Sequence, residues 1–162
     1  MGIDATLPTG ANAMTEPRLS STTTNGKSVV VVRYDDDDPD GAMAGGSLTQ
    51  AAHAALVSQP DVDIVGFVPT RLDDVDTATI VAKAIVLLAI WPAAVTVMEV
   101  TDAVKRVSSE ELIVGSVDRA TLRWVRGPAF IRRDVLERAL QHAGPPDLIA
   151  RVAEVAGALA VL

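Results

Sequence analysis

"SVVVVRYDDDDPDGAMAGGSLTQAAHAALVSQPDVDIVGFVP", residues 28–69, holds the pattern that decides the fold. Its first seven residues form a β-branched run that predicts a buried strand, and residues 62–69 form a second such run. Between the two runs, Ser47 can cap a helix, because apolar residues recur after it at helical spacing. These residues are Leu48, Ala51, Ala52, Ala55 and Leu56. A strand, a helix and a second strand predict one right-handed parallel crossover.

The same alternation continues towards the C-terminus. A second helix is predicted over about residues 78–90, and a third strand over residues 93–100. Two successive βαβ units predict an α/β fold, in which helices flank a parallel sheet. Short antiparallel strands are predicted next, followed by a helix from Phe130, a last helix and a terminal strand at residues 158–162. Residues 28–162 are expected to form a single domain. Residues 1–27, rich in Thr, Ser, Gly, Pro and Asn, are expected to be a disordered tail.

The composition excludes several classes of protein. The chain has 162 residues, of which 49% are hydrophobic and only 3% aromatic, so aliphatic side chains must fill one core. The absence of cysteine excludes disulfides, thiolate nucleophiles and cysteine zinc sites. The N-terminus has no signal-peptide pattern, and a cytoplasmic protein is expected. The unbroken apolar run, residues 84–95, is shorter than the roughly 20 residues that span a bilayer, so no membrane segment is predicted.

Charge is distributed unevenly along the chain, whose net charge is −7. Residues 1–76 hold 12 acidic and 4 basic side chains, whereas residues 77–162 hold 9 acidic and 10 basic ones. Nucleic-acid binding requires a basic surface to neutralise phosphates. An acidic chain of this kind is therefore not expected to bind nucleic acid.

An acidic run follows the first predicted strand. Asp35 and Asp36 begin it, and Gly41, Gly45 and Gly46 follow. Open α/β sheets bind ligands at the carboxyl ends of their strands, where this segment is expected to lie. Carboxylates are the ligands that Mg²⁺ prefers, so Asp35 and Asp36 are candidate metal ligands. A solvated, flexible loop is the alternative interpretation.

Basic residues concentrate in the second half of the chain. Residues 105–133 contain seven of the 14 Lys and Arg residues, against three acidic ones. A phosphate-bearing ligand, a partner subunit and the solvated face of a hairpin would each explain this concentration. In an extended segment, Arg119 and Arg123 would share a face. We favour the partner subunit.

Three segments resemble a known enzyme family. They are "GGSLTQAAHAALVSQPDVDIVGFVP" (residues 45–69), "AAVTVMEVTDAVKRV" (residues 93–107) and "VGSVDRATLRWVRGPAFIRRDVLERAL" (residues 114–140). They resemble the 2-C-methyl-D-erythritol 4-phosphate cytidylyltransferases. The resemblance implies a Rossmann-like nucleotidyltransferase fold with a small antiparallel β-arm, about residues 101–127, and a homodimer formed through that arm. It also implies transfer of CMP from CTP to a sugar-alcohol phosphate, with a divalent cation such as Mg²⁺, in isoprenoid precursor synthesis.

The resemblance also assigns candidate site residues. Lys105 and Arg119 correspond to positions that contact the substrate phosphate. Gly41, Gly45 and Gly46 lie where the family has its nucleotide-binding loop.

The chain departs from the family pattern at several motifs. The family's first loop carries Arg and Lys, whereas no basic residue lies between Arg33 and Arg71 here. The family's Gly-Gly-x-x-Arg and Asp-Ala-Ala-Arg stretches have no counterpart between Pro69 and Ile80. We therefore expect a catalytically impaired relative, a pseudoenzyme with a binding or regulatory role. It would dimerise with itself or with an intact paralogue. The alternative is an active nucleotidyltransferase whose acidic loop is bridged by metal.

Overall fold

The structure is a computed structural model, and it describes residues 18–34 and 46–162. Its strands are β1 (Arg18–Thr24), β2 (Lys27–Tyr34), β3 (Ile64–Pro69), β4 (Ala93–Glu99), β5 (Lys105–Val107), β6 (Ile113–Ser116), β7 (Arg123–Arg132) and β8 (Ala160–Val161). Its helices are α1 (Gly46–Ser58), α2 (Asp74–Leu88), α3 (Arg133–Gln141) and α4 (Leu148–Ala156), with a short 3₁₀ turn at Arg119–Thr121.

Six strands form the main sheet, in the order β1-β2-β3-β7-β4-β8. β2 and β3 pair in parallel, as do β4 and β8, whereas β1 and β7 are antiparallel to their neighbours. This arrangement confirms the α/β fold class. The carboxyl ends of β2, β3 and β4 consequently meet at one edge of the sheet, called the carboxyl edge below.

Helices cover both faces of the sheet, and the valines of β2 alternate between the two faces. Val30 and Val32 pack under α1, α3 and α4, whereas Val29 and Val31 pack under α2. All four side chains are buried. A strand buried on both faces reads as a continuous run of valines rather than as an alternating pattern.

The prediction of a disordered tail over residues 1–27 is wrong for residues 18–27. Arg18–Thr24 form β1, which pairs antiparallel with β2 along its whole length. Asn25 and Gly26 make the turn, with φ of 52° and 72°. An Asn-Gly pair at positive φ is the preferred two-residue hairpin turn, and it was the signal that sequence reasoning overlooked. Residues 1–17 lie outside the described residues.

The predicted helix start at Phe130 is also wrong, because Phe130 and Ile131 belong to β7 and α3 begins at Arg133. β7 inserts between β3 and β4, antiparallel to both, and residues 127–131 are buried. Residues 123–127, which the sequence predicts to be part of the arm, form the first part of this strand. Pro128 cannot donate to a ladder, and it lies where the pairing with β4 shifts register between Val95 and Val97.

The arm has a hairpin of its own. β5 and β6 form a separate two-stranded antiparallel sheet, which confirms the predicted small antiparallel arm. The backbone N–H of Val117 donates to the Val104 carbonyl at 3.0 Å, closing the base of the hairpin. The predicted terminal strand is confirmed as β8. No helix in the described ranges combines the length and the apolar character needed to cross a membrane.

Candidate functional site

The carboxyl edge is the place where an open α/β sheet binds ligands. β2 reaches it at Tyr34, β3 at Pro69 and β4 at Glu99, and β7 begins there at Arg123. The Tyr34 hydroxyl donates to the Gly127 carbonyl at 3.0 Å, which ties β2 to β7 across the end of β3. The backbone N–H of Thr70 donates to the Tyr34 carbonyl at 2.8 Å. These bonds fix the floor of the candidate site.

The predicted metal ligands Asp35 and Asp36 lie outside the described residues, as do Gly41 and Gly45. Their roles therefore stay predictions. Gly46 is the first residue of α1, so the segment 35–45 connects the carboxyl end of β2 to the beginning of that helix. Among the described residues, no group of three or more His, Asp or Glu side chains could hold a metal ion.

Arg119 is held at the base of the arm. It begins the 3₁₀ turn, whose N-cap is Asp118; the Asp118 carboxylate accepts from the Ala120 N–H at 3.0 Å. The Arg119 guanidinium donates to the carbonyl of Thr101, just beyond the carboxyl end of β4. The expected extended segment, with Arg119 and Arg123 on one face, is therefore wrong, because Arg119 lies in a turn.

Lys105 lies close to the same base, at the start of β5. Its ammonium group donates to the Ser116 hydroxyl at 2.8 Å, and Ser116 is its register partner in the hairpin. Both predicted phosphate contacts are therefore exposed cations held by neutral partners within the arm. Neither forms an ion pair with a described carboxylate, so both could accept a phosphate as counter-ion.

Arg33 is hydrogen-bonded to residues at the beginning of α2. Its guanidinium donates to the Leu72 carbonyl and to the Asp74 carboxylate, both at 2.7 Å, and to the Thr77 hydroxyl at 3.3 Å. Asp73 caps the same helix, accepting from the Asp76 N–H at 2.7 Å. Four residues, 70–73, connect β3 to α2. Arg33, the basic residue before the acidic run, holds the beginning of α2 against β2.

Sequence reasoning missed a basic side chain near the beginning of α1. Arg151 of α4 donates from Nη2 to the Thr49 hydroxyl at 2.8 Å. Its Nε is buried and has no hydrogen-bond partner within the described parts of the chain. A buried donor left unpaired costs about 1–3 kcal/mol. The signal was a charge three residues after Leu148, on the apolar side of α4, whose Leu148, Ile149 and Val152 are buried.

A cavity of about 660 Å³ lies at the opposite edge of the sheet, where β2 and β3 begin. Three ion pairs surround it: Lys27–Asp63 at 3.3 Å, Arg132–Asp134 at 3.1 Å and Arg133–Glu137 at 2.7 Å. The backbone N–H of Ser28, 2.9 Å from Asp63 Oδ2, lowers the pKa of that carboxyl; burial opposes this, and Lys27 lowers the pKa further. The cations are balanced by carboxylates here, so this cavity offers no net charge to a ligand.

Comparison with known proteins gives two concordant results. The family profile of IspD, 2-C-methyl-D-erythritol 4-phosphate cytidylyltransferase, matches residues 70–158. A curated relative from Rhodopseudomonas palustris (strain BisB18), the bifunctional enzyme IspD/IspF, is 31% identical over 105 residues. That match covers 65% of this chain and 26% of the relative.

Solved structures show the same fold. The 4-diphosphocytidyl-2C-methyl-D-erythritol synthase of Anaerococcus prevotii DSM 20548 matches with a TM-score of 0.57 and 12% identity, covering 74% of this chain and 57% of that one. The 2-C-methyl-D-erythritol 4-phosphate cytidylyltransferase of Thermus thermophilus matches with a TM-score of 0.50 and 18% identity, covering 72% and 56%. The chain therefore spans about a quarter of the curated relative and a little over half of these structures.

Proposed function

This chain belongs to the 2-C-methyl-D-erythritol 4-phosphate cytidylyltransferase family, and from that premise we propose that it binds the family's substrates at its carboxyl edge but transfers CMP weakly. Its role is then binding or regulatory. It acts as a dimer, either with itself or with an intact relative, formed through the arm.

Retained phosphate recognition is supported by the base of the arm. Arg119 and Lys105 are exposed cations whose hydrogen-bond partners are a carbonyl and a hydroxyl. A substrate phosphate would replace neutral partners with an anion and would gain charge-assisted hydrogen bonds. The resemblance assigns a substrate phosphate to the same two residues.

Weak transfer is supported by one observation above all, the connection between β3 and α2. It is four residues long, and it ends in Asp73, whose carboxylate caps the helix. Transfer of a nucleotidyl group depends on cations placed around the oxygens that gain charge, and loss of one such donor costs about 10²–10³ in rate. Arg33, the last cation before the acidic run, is bound to Asp74 and is therefore engaged in holding the beginning of α2.

A dimer is supported by the apolar surface of the arm. Val107, Leu112, Ile113 and Val114 are all exposed on the hairpin. Met98 and Trp124 face each other across β4 and β7 and are exposed as well. A two-stranded hairpin is marginally stable by itself, so this one needs an apolar partner surface.

Calorimetry and a turnover assay test the proposal together. Pyrophosphate release from CTP with methylerythritol phosphate and Mg²⁺ should be at least about 100-fold slower than in an intact family member. Methylerythritol phosphate should still bind, and Arg119→Gln should weaken that binding about tenfold or more, through loss of a charged donor. Arg132→Gln, at the opposite edge of the sheet, is the matched control and should leave affinity unchanged.

Turnover at the rate of an intact relative would refute the weak-transfer part and support the alternative, an active enzyme with a metal-bridged acidic loop. Equal affinities of the parent and the Arg119→Gln variant for methylerythritol phosphate would refute the assignment of the phosphate site.

A further inference from the structure

The cavity where β2 and β3 begin, called the amino-edge cavity below, has no part in the proposed function. Its volume of about 660 Å³ falls within the roughly 300–1,000 Å³ that small-molecule sites occupy. Val62, Ile64 and Leu88 line it and are buried, so part of its wall is apolar. An apolar wall with a few charged side chains beside it is the usual composition of a site for a small organic molecule.

The three ion pairs around this cavity supply equal numbers of cations and carboxylates. A ligand with one kind of charge would meet repulsion as well as attraction there. A zwitterion can instead present its carboxylate to a cation and its ammonium group to a carboxylate, and so gain charge-assisted hydrogen bonds with both.

Arg132 and Asp134 are the pair best suited to such an exchange. Their side chains bind only each other among the described residues, at 3.1 Å through both Nε and Nη2 of Arg132. By contrast, Asp63 also accepts from the Ser28 N–H, and Arg133 also donates to backbone carbonyls. The Arg132–Asp134 pair can therefore open to a ligand without the loss of any other bond of these side chains.

Two helices meet the amino-edge cavity with opposite partial charges. α3 begins there, and no side chain of the described residues caps its first turn. The free N–H groups of a first turn carry a partial positive charge that favours a carboxylate. Leu88 and Ala89, at the end of α2, line the same cavity, and the last turn of α2 has no basic side chain. The carbonyl groups at that end carry a partial negative charge that favours an ammonium group.

We propose that the amino-edge cavity binds an apolar α-amino acid, whose carboxylate pairs with Arg132 and whose ammonium group pairs with Asp134. The ligand replaces one ion pair with two, and the two helix ends favour a ligand that carries both charges. The apolar side chain of the amino acid packs on Val62, Ile64 and Leu88. This inference is independent of the proposed function, because it concerns the opposite edge of the sheet.

Calorimetry with L-leucine and its analogues tests the site without any substitution in the protein. Isoamylamine is leucine without its carboxylate, isocaproate is leucine without its amino group, and glycine has both charges but no apolar side chain. Leucine should bind about tenfold or more tightly than each of the three, because each analogue loses either a charge-assisted hydrogen bond or the apolar contact. Leucine that binds no more tightly than these analogues overturns the inference.

Two substitutions test the assigned contacts. Arg132→Gln and Asp134→Asn should each weaken leucine binding about tenfold or more, since each removes one charged partner of the ligand. Lys83→Gln is the matched control, because Lys83 is an exposed cation of α2 outside the cavity lining, and it should bind leucine as the parent does. Thermal melting of each variant verifies that it is folded.

The remaining outcomes separate this inference from the proposed function. Leucine binding that is equal in the parent, Arg132→Gln and Asp134→Asn overturns the inference, and so does failure of the parent to bind leucine. Neither result affects the binding of methylerythritol phosphate at the carboxyl edge. Leucine binding without any binding of methylerythritol phosphate supports the inference and contradicts the proposed function alone.

Discussion

At the scale of single residues, Asp63 gives a test that uses pH. Its carboxylate accepts from the Ser28 N–H and from Lys27, and its pKa is lowered. A carboxyl whose pKa is lower in the folded state contributes stability above its unfolded pKa of about 3.9, and loses that contribution as pH falls through the folded value. Asp63→Asn should therefore lower the free energy of unfolding at pH 7 by about 1 kcal/mol, a modest value because Asp63 is partly exposed.

Urea denaturation at pH 7 and near pH 3 would measure this effect. The difference between parent and variant should shrink at the lower pH, because a carboxyl with a lowered pKa loses its contribution to stability as pH falls towards the folded value. Asp61→Asn is the control, because no described residue donates a hydrogen bond to the Asp61 carboxylate. A difference for Asp63→Asn that is constant across this pH range would contradict the assignment.

The sequence could suggest a site residue only where the residues next to it along the chain form a recognisable motif. Lys105 and Arg119 lie in segments that resemble the family, and the structure places both at the base of the arm. Arg151 lies 102 positions from Thr49, so their contact exists only after α1 and α4 pack on the same face of the sheet. The sequence shows Arg33 as the last basic residue before the acidic run. It does not show the bond of Arg33 to Asp74, which lies 41 positions away.

At the scale of secondary-structure elements, Gly66 allows β3 and β7 to pair. A Cβ atom at this position would lie 2.5 Å from Phe130 Cε1, which is closer than atoms approach in real proteins. The Phe130 ring is fully buried and cannot move aside freely. Gly66→Ala should therefore lower the free energy of unfolding by about 1–3 kcal/mol, the usual cost of overpacking a core.

Equilibrium urea unfolding measures that cost. Gly115→Ala is the matched control, because no atom lies within 4 Å of its added Cβ and it also lies in a strand. If both variants unfold at the same urea concentration as the parent, the close packing of Gly66 on Phe130 is not what the structure indicates.

The alternation of buried strands and helices was predictable, because β2, α1 and β3 each carry an uninterrupted signal over several residues. β7 was not, since its first half is exposed and basic while residues 127–131 are small or apolar and resemble the start of a helix. Its place between β3 and β4 depends on pairing with both neighbours. β1 was missed for a related reason: its side chains are almost all exposed, and it is held mainly by backbone pairing to β2.

At the scale of the whole molecule, the surface of the arm differs from that of the main sheet. The main sheet is covered by helices on both faces, whereas the β5–β6 hairpin exposes apolar side chains and stands apart from the main sheet. The proposed dimer would cover this apolar patch, and basic residues around it would suit the acidic N-terminal half of another copy. Assembly and stability should therefore depend on each other.

Ile113→Asp tests this dependence, because Ile113 is 71% exposed and lies in the middle of the apolar hairpin surface. A charge at the centre of an apolar interface is left unpaired and desolvated, so light scattering should show the parent as a dimer and the variant as a monomer at the same concentration. The melting temperature of the parent should rise with protein concentration, while that of the variant should not. Val57→Asp, 82% exposed on α1, adds the same charge away from the hairpin and should remain a dimer. A monomeric parent, or a dimer that survives Ile113→Asp, would show that the arm does not hold two subunits together.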